Sequence, residues 1–251
     1  MQKTAILADI HGNLTALDAV LAAIDAEGIE RVICLGDVAT LGPQPHGVVV
    51  RLRALGCPIV MGNTDADLLA LQRDADAQDG DARAIESNGD FDRWSAAQLT
   101  DDDFAFIRTF QPTISVALGD GVTLLCYHGS PRSYDERITA ETPDAVLREM
   151  LAATPAHLYA GGHTHQQLLR RHRDALVVNP GSVGFAKDAI APATPIGNPS
   201  WAEYAVIASA GSQLDISLRR IPFDLAALFY AQDATAIPRA HWRKGAWRRV
   251  V

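Results

Sequence analysis

Apolar and polar positions along this chain alternate between two rhythms, and a short polar loop recurs where one rhythm gives way to the other. The apolar run Ala5 to Ala8 ends at Asp9. After Gly12 and Asn13, the residues Leu14, Leu17, Val20, Leu21 and Ile24 recur at helical spacing until Gly28. The pattern is strand, loop, helix, and it repeats. Arg31 to Leu35 ends at Gly36-Asp37, a Pro/Gly loop follows, and Gly47 to Leu55 reads as a helix closing at Gly56. A third strand, Pro58 to Met61, leads into Gly62-Asn63-Thr64-Asp65. Strands alternating with helices predict right-handed crossovers and a parallel sheet in this part of the chain.

Residues 66 to about 110 read as a helical, acidic excursion, with Thr100 as an N-cap and Asp101 to Asp103 in the first turn before Phe104, Phe106 and Ile107. From Thr113 the rhythm becomes β-like. Ile114 to Leu118 and Val122 to Tyr127 flank Gly119-Asp120-Gly121, a hairpin signal, and the second run delivers His128. A helix over about Pro143 to Ala153 precedes the strand His157 to Ala160, which ends at Gly161-Gly162-His163-Thr164-His165. Further β runs cover Leu168 to Arg171 and Leu176 to Asn179, followed by a Pro-rich loop from Phe185 to Pro199. A final hairpin, Tyr204 to Ala208 with Leu214 to Ile221, leads to a short helix near Phe223 to Gln232. No internal repeat or low-complexity linker divides the sequence, so residues 1–251 are expected to form one α/β domain. Two βα-containing halves with facing mixed sheets and helices outside would give a four-layer α/β/β/α sandwich.

Composition narrows the function classes. The 251 residues are 48% hydrophobic and carry a net charge of −8, which argues against a general nucleic-acid binder, since that role needs a broad basic surface. Acid concentrates at Asp74, Asp76, Asp79, Asp81, Asp90, Asp92 and Asp101 to Asp103; without the Glu-terminated spacing of a calcium loop, this stretch reads as a solvated helical surface. The basic tail, about 239–251, carries Arg243, Lys244, Arg248 and Arg249 beside Trp242 and Trp247, and reads as a docked or frayed terminus ahead of a binding element. Cys34, Cys57 and Cys126 are odd in number and lack paired spacing, as expected of buried thiols in a reducing compartment. Only Thr4 to Ala8 separate the charged start from Asp9, too short for the core of a signal peptide, and no apolar run reaches the length of a membrane span. A cytoplasmic protein without membrane association is expected.

The loops at the strand ends carry the chemistry. Asp9, His11, Asp37, Asn63, His128, His163 and His165 each follow a strand-like run, where an α/β sheet gathers ligands from distant parts of a chain. Carboxylate, amide and imidazole donors suit Mn²⁺, Fe²⁺, Zn²⁺, Co²⁺ or Ni²⁺, and the absence of Cys among them argues against a structural zinc cage. Two such ions about 3.5 to 4 Å apart can share a carboxylate, activate water and stabilise an in-line displacement at phosphorus.

In order along the chain, Asp9-Ile10-His11, Gly36-Asp37, Gly62-Asn63, His128-Gly129 and Gly162-His163-Thr164-His165 resemble the five blocks of the calcineurin-like metallophosphoesterases. With Asn179-Pro180-Gly181-Ser182-Val183, the chain looks most similar to the small bacterial and archaeal phosphodiesterase-like branch. The resemblance implies two divalent ions, Mn²⁺ foremost. It places Asp9, His11 and His165 on one ion, Asn63, His128 and His163 on the other, and Asp37 between them. It further implies hydrolysis of a small phosphorylated substrate by metal-activated hydroxide, with a phosphodiester or nucleotide favoured over phosphoprotein. Many relatives have His after the Gly-Asn pair, where it assists the leaving oxygen; this chain has Thr64. Asn13 reads as a helix N-cap or a phosphate contact, and Arg132 and the Ser182 loop as candidates to frame a substrate. His46, His157, His172 and His241 lack ligand spacing and read as non-catalytic. A serine/threonine-type protein phosphatase and a non-catalytic scaffold of the same fold are the alternatives.

Overall fold

The computed structural model describes residues 1–76, 89–187, 198–211, 213–240 and 247–248. In chain order it contains β1 (Gln2–Leu7), α1 (Leu14–Ala26), β2 (Arg31–Cys34), α2 (Pro45–Leu55), α3 (Asn63–Asp76), α4 (Gly89–Ala97), α5 (Asp101–Ile107), β3 (Ile114–Gly119) and β4 (Val122–Cys126). There follow α6 (Asp144–Leu151), β5 (Leu158–Ala160), β6 (Leu168–His172), β7 (Ala175–Asn179), β8 (Asn198–Pro199), β9 (Trp201–Ala210), β10 (Gln213–Pro222), α7 (Leu225–Ala234) and β11 (Trp247–Arg248).

Alternation along the strands builds the layers. In β1, Ala5 and Leu7 point outward to meet Leu17, Val20 and Leu21 of α1 and Val48 and Leu52 of α2. Ile6 points inward and, with Ile33, Leu35 and Val60, meets Leu124, Cys126, Leu158, Ala160 and Val178 of the second sheet. The second sheet turns its other face, Leu125, Tyr127, Tyr159 and Val177, to Leu147, Met150 and Leu151 of α6. Period-2 strands with both faces apolar therefore stack as helix, sheet, sheet, helix, as the sequence predicts. Each large side chain fully buried here stabilises the stack by roughly 1.5–3 kcal/mol.

Both sheets are mixed. The first runs β10-β9-β1-β2, with β1 parallel to β2 and antiparallel to β9; the second runs β3-β4-β5-β7-β6, parallel only at β4-β5-β7. The first sheet is thus not the product of the first βα units alone, because the late hairpin β9–β10 returns to flank β1. The expected third strand, Pro58 to Met61, contracts to isolated bridges, Cys34 with Ile59 and Val60 with Gln111. Its backbone is still bonded on both sides, with Val60 donating to Cys34 O at 2.8 Å and Met61 to Gln111 O at 2.8 Å.

The acidic excursion holds α3, α4 and α5 among its described residues, while Asp79 and Asp81 lie outside them. It is not wholly solvated, because Asp92 and Asp103 are buried. Asp103 closes a capping box with Thr100 at the start of α5, and its carboxylate also meets His46 Nδ1 at 2.7 Å and Arg53 at 3.1 Å. A cap and two basic partners make that burial favourable. Much of the basic tail, including Trp242, Arg243 and Lys244, lies outside the described residues, but Trp247 is buried between Phe185 and Phe223, with centroids 5.5 and 5.6 Å away.

Candidate metal centre

All seven candidate ligands converge beyond the ends of the strands. The loop after β1 is zipped to the loop after β2 by Asp9 N to Gly36 O (3.0 Å), His11 N to Asp37 O (2.9 Å) and Gly12 N to Val38 O (2.8 Å). The loop after β5 joins them through the His163 N–H, which donates to Asp9 Oδ2 at 3.0 Å. The flanking glycines exist for contact. A Cβ on Gly62 would run into Asp37 Oδ1, one on Gly161 into the Tyr127 ring, and one on Gly162 would come within 2.8 Å of Asp9 Oδ2. The ligand backbones themselves turn sharply: Asp9, His11, Asp37, His163 and His165 all have φ between 50° and 67°. Asp and His tolerate this left-handed region better than most residues, yet each costs on the order of 1 kcal/mol and persists because the surrounding bonds fix it.

Donor atoms fall into two groups, Asp9 with His11 and His165, and Asp37 with His128 and His163, each with atoms within 4.8 Å of one another. Asp37 Oδ2 sits between the groups, 3.6 Å from His11 Nε2 and 3.4 Å from His128 Nε2. Asn63 Oδ1 lies 3.0 Å from both His128 Nε2 and His163 Nδ1. The far ring nitrogens are committed: His128 Nδ1 donates to Leu35 O at 2.7 Å and His165 Nδ1 to Phe185 O at 2.8 Å. That turns their Nε2 atoms toward the other candidate ligands. His11 Nε2 and His165 Nε2 face each other at 3.0 Å, a repulsive contact unless a cation or proton lies between them. The donor set fits a pair of divalent ions.

Ionisation tells the same story. Burial disfavours charge on His128, yet Asp37, through its charge and close approach, and Asp9 outweigh it and push the imidazole up to about 10. Burial drives His11 down to about 3. Burial would raise Asp37 and Asp9, but His128 beside the first and His165 beside the second hold both carboxyls below the ordinary range.

Three side chains brace the centre in roles that the sequence did not assign to them. Buried Asp65 accepts three backbone N–H bonds, from Asp37 (2.8 Å) and Gly62 (3.1 Å) on Oδ2 and from Val38 (3.0 Å) on Oδ1, and so ties two ligand loops together. Its position directly after Gly62-Asn63-Thr64 is the only sequence signal it offers. Asn179 donates to Gly162 O at 2.7 Å and Thr164 Oγ1 at 3.0 Å, holding the loop that carries His163 and His165. Ser182 donates to Asp9 O at 2.7 Å and accepts from Phe185 N at 2.7 Å, a bracing role inside the protein in place of a substrate contact.

The two substrate-contact candidates are engaged elsewhere. Asn13 is fully buried, caps α1 by accepting from Ala16 N at 3.1 Å, and donates to Gly184 O at 3.1 Å, which leaves it facing no solvent. Arg132 is exposed and grips Glu136 with a two-pronged contact, the shortest at 2.7 Å. Thr64 is buried; its N–H donates to Asp37 Oδ1 at 3.0 Å, while its hydroxyl has no hydrogen-bond partner among the described residues. Asp67 and Asp92 lie on the Asp37 side of the centre. Burial first, then neighbouring carboxylates, raises both, Asp92 to about 6.

The sequence matches the model of the calcineurin-like phosphoesterase superfamily domain over residues 2–195. It is 27% identical over 197 residues to an uncharacterised protein of Methanocaldococcus jannaschii, covering 74% of this chain and 78% of that relative. The fold is similar to a metallophosphoesterase from Sphaerobacter thermophilus, with TM-score 0.74, 23% identity and 98% of each chain covered. It is also similar to a hypothetical protein from Pyrococcus horikoshii, with TM-score 0.77, 21% identity and 95% of each chain covered. With the family model spanning most of its length and the ligand loops gathered at the strand ends, the chain belongs to the calcineurin-like phosphoesterase superfamily.

Proposed function

We propose that this protein is a metal-dependent phosphoesterase acting on a small phosphorylated molecule of the phosphodiester or nucleotide type. The observation that carries this reading is the convergence of buried ligand-type atoms: imidazole rings whose Nδ1 atoms bond Leu35 O and Phe185 O turn their Nε2 atoms toward Asp9, Asp37, Asn63 and one another. Asp9, His11 and His165 would hold one divalent ion and Asn63, His128 and His163 the other, with Asp37 shared; Mn²⁺ is the leading candidate among Mn²⁺, Fe²⁺, Zn²⁺, Co²⁺ and Ni²⁺. When bound, the ions supply Lewis acidity to a water nucleophile and to the phosphoryl oxygens. Asp37 is oriented for its shared role by the Thr64 and Asp65 contacts. The left-handed ligand turns keep the donors in place before any ion arrives, so little reorganisation accompanies loading.

Thr64 limits the substrate. A buried hydroxyl cannot protonate a departing alkoxide as imidazole can, and lost general-acid help costs on the order of 10² to 10⁴ in rate. Aryl diesters, and nucleotide esters cleaved so that a phosphate departs, have leaving groups that need no proton and are therefore preferred over alkyl phosphates. The test is hydrolysis by the Mn²⁺-loaded protein of bis(p-nitrophenyl) phosphate, nucleotides, alkyl phosphates and phosphopeptides, with Asp37→Asn and His163→Ala beside it. Equal turnover by either variant overturns the assignment, and phosphopeptide turnover matching that of small diesters favours a protein phosphatase. A non-catalytic scaffold is disfavoured by the complete ligand set, since protein binding places no demand on buried histidines. Three unpaired cysteines support a reducing, cytoplasmic setting, and no described helix is long and apolar enough to cross a membrane.

A further inference from the structure

The end of the second sheet away from the metal centre holds a cleft that the phosphoesterase reading does not use. Its volume is about 470 Å³, within the range of small-molecule sites. The cleft lies where β5 and β7 begin, whereas the ligand loops lie beyond their ends, and the five residues of β7 alone span roughly 17 Å. Its floor is apolar, built from Leu151 at the end of α6, Ala156, the Tyr159 ring and Ala175. Tyr159 is pinned, because its hydroxyl donates to Thr154 O at 3.3 Å and accepts from Ala156 N at 3.0 Å. The rim is basic. Arg148 from α6 lines it with His172 and Arg173 from the β6–β7 hairpin, and the same three line an adjoining cleft of about 180 Å³ bordered by Arg171. These side chains therefore share one ridge, with Asp174 as the one carboxylate among the described residues lining the larger cleft. Arg170 is held by Asp144 at 2.6 Å, but no ion pair among the described residues uses Arg148, Arg171 or Arg173. His157 also borders the cleft; its Nδ1 accepts from Thr123 N at 3.2 Å, so the neutral ring carries its proton on Nε2 as a donor.

The backbone gives an independent sign. Arg173 stands at the tip of the hairpin with φ 55°, in the left-handed region where Gly or Asn is at ease, at a cost on the order of 1 kcal/mol. A turn that only reversed the chain would be better served by glycine. Here the costly residue is a guanidinium, set beside a second one on the rim of an apolar cleft, in a chain whose net charge is −8. Such a local cluster of cations is where an anion gathers, and the pinned floor suits a ring. We propose that this cleft binds a small anion with a flat apolar body, of the aryl or nucleoside monophosphate class. The ring lies against Tyr159 and Leu151, and the phosphate meets Arg148 and Arg173, with His157 as a further donor. The site is separate from the metal centre, and its occupancy requires no hydrolysis.

The test is calorimetric titration of the Mn²⁺-loaded protein with 2-naphthalenesulfonate, a ring-bearing anion with no phosphoester to cut, against the neutral 2-naphthylmethanol and the ringless methanesulfonate. The ring-bearing anion should bind one to one and on the order of tenfold tighter than either half. Arg148→Gln and Arg173→Gly should each weaken it by about three- to tenfold, while Arg51→Gln, on α2 against the other sheet, leaves it unchanged. Arg173→Gly is accommodated by the left-handed turn, so its melting temperature should equal or exceed that of the parent, and its turnover of an aryl diester should match the parent's. Displacement of the probe by AMP assigns the nucleoside form of the ligand, and displacement by phenylphosphonate the aryl form. Displacement by neither overturns the proposal, as does equal affinity for 2-naphthylmethanol or an Arg148→Gln, Arg173→Gly double variant that binds the probe as the parent does. Failure of the enzymatic reading would appear separately, as an intact probe affinity without turnover of any ester.

Discussion

Replacing Asp65 with Asn probes how the centre is held together. The carboxylate occupies both oxygens with three backbone N–H donors, two of them from Asp37 and Gly62, which flank or carry ligand loops. The amide keeps one acceptor oxygen and presents an N–H to a buried backbone donor. One orphaned donor costs roughly 1–3 kcal/mol, and losing the charge on the remaining bonds adds about 1 kcal/mol, for a total of roughly 2 to 4 kcal/mol. In a chain of this length, each kcal/mol moves the melting temperature by about 2–4 °C. The cost should depend on metal. Without ions, burial and then Asp37 raise the Asp65 carboxyl to about 7. Between its ordinary value of 3.8 and about 7 the folded protein then holds a proton that the unfolded chain has released, so this group's contribution to stability falls as pH rises through that window. Divalent ions offset the charge of Asp37 and leave Asp65 ionised, and its three bonds reach full strength. Calorimetric melting at pH 6 should therefore show Asp65→Asn lowering the melting temperature by roughly 4 to 16 °C in the Mn²⁺-loaded protein and by clearly less in the metal-free one, with at least tenfold weaker Mn²⁺ binding. A loaded variant melting within 2 °C of the parent, or binding Mn²⁺ equally well, would refute the reasoning.

Three further predictions follow from neighbouring contacts. His128, raised to about 10, stabilises the metal-free fold fully below its ordinary 6.5 and loses that contribution as pH rises through 10; metal-free melting should fall over this interval, and Mn²⁺ binding at pH 7.5 should release a proton, measurable by calorimetry in buffers of different ionisation enthalpy. Gly62→Ala forces a Cβ against Asp37 Oδ1 and should cost at least tenfold in Mn²⁺ affinity while circular dichroism stays near that of the parent; normal affinity would show that the loop adapts. Trp247→Ala empties a site between Phe185 and Phe223 and should destabilise by about 3 kcal/mol, with weaker metal binding because Phe185 O holds His165.

The cluster of candidate ligands was legible because each member closes a local pattern, an apolar run ending in a polar loop, that is written in consecutive residues. The layers were legible for the same reason, since Ile6 and Leu7, or Leu124 and Leu125, alternate between two apolar environments. What local pattern cannot carry is partnership. Nothing near β9 states that it pairs with β1, and nothing near Asp65 states that Asp37 and Val38 will present their N–H groups to it. The acidic stretch misled for a related reason: composition counts charges, but Asp103 is buried by a cap and two distant basic partners. Arg132 was plausible for phosphate on chemistry alone, and only the loop's return shows it held by Glu136.

The place of β1 also sets an order of events during synthesis. All seven candidate ligands precede residue 166, yet the strand carrying the chain to Asp9 is flanked on one side by β9, in pairs that run from Ile6 with Ala205 to Gln2 with Ser209. A growing chain that has already emerged with every ligand still lacks the hairpin that fixes the first of them. Closing a connection of some two hundred residues is slow compared with local helix formation. On the proposed metal-binding reading, capture at full affinity would follow emergence of the β9–β10 hairpin, after every candidate ligand has already been made.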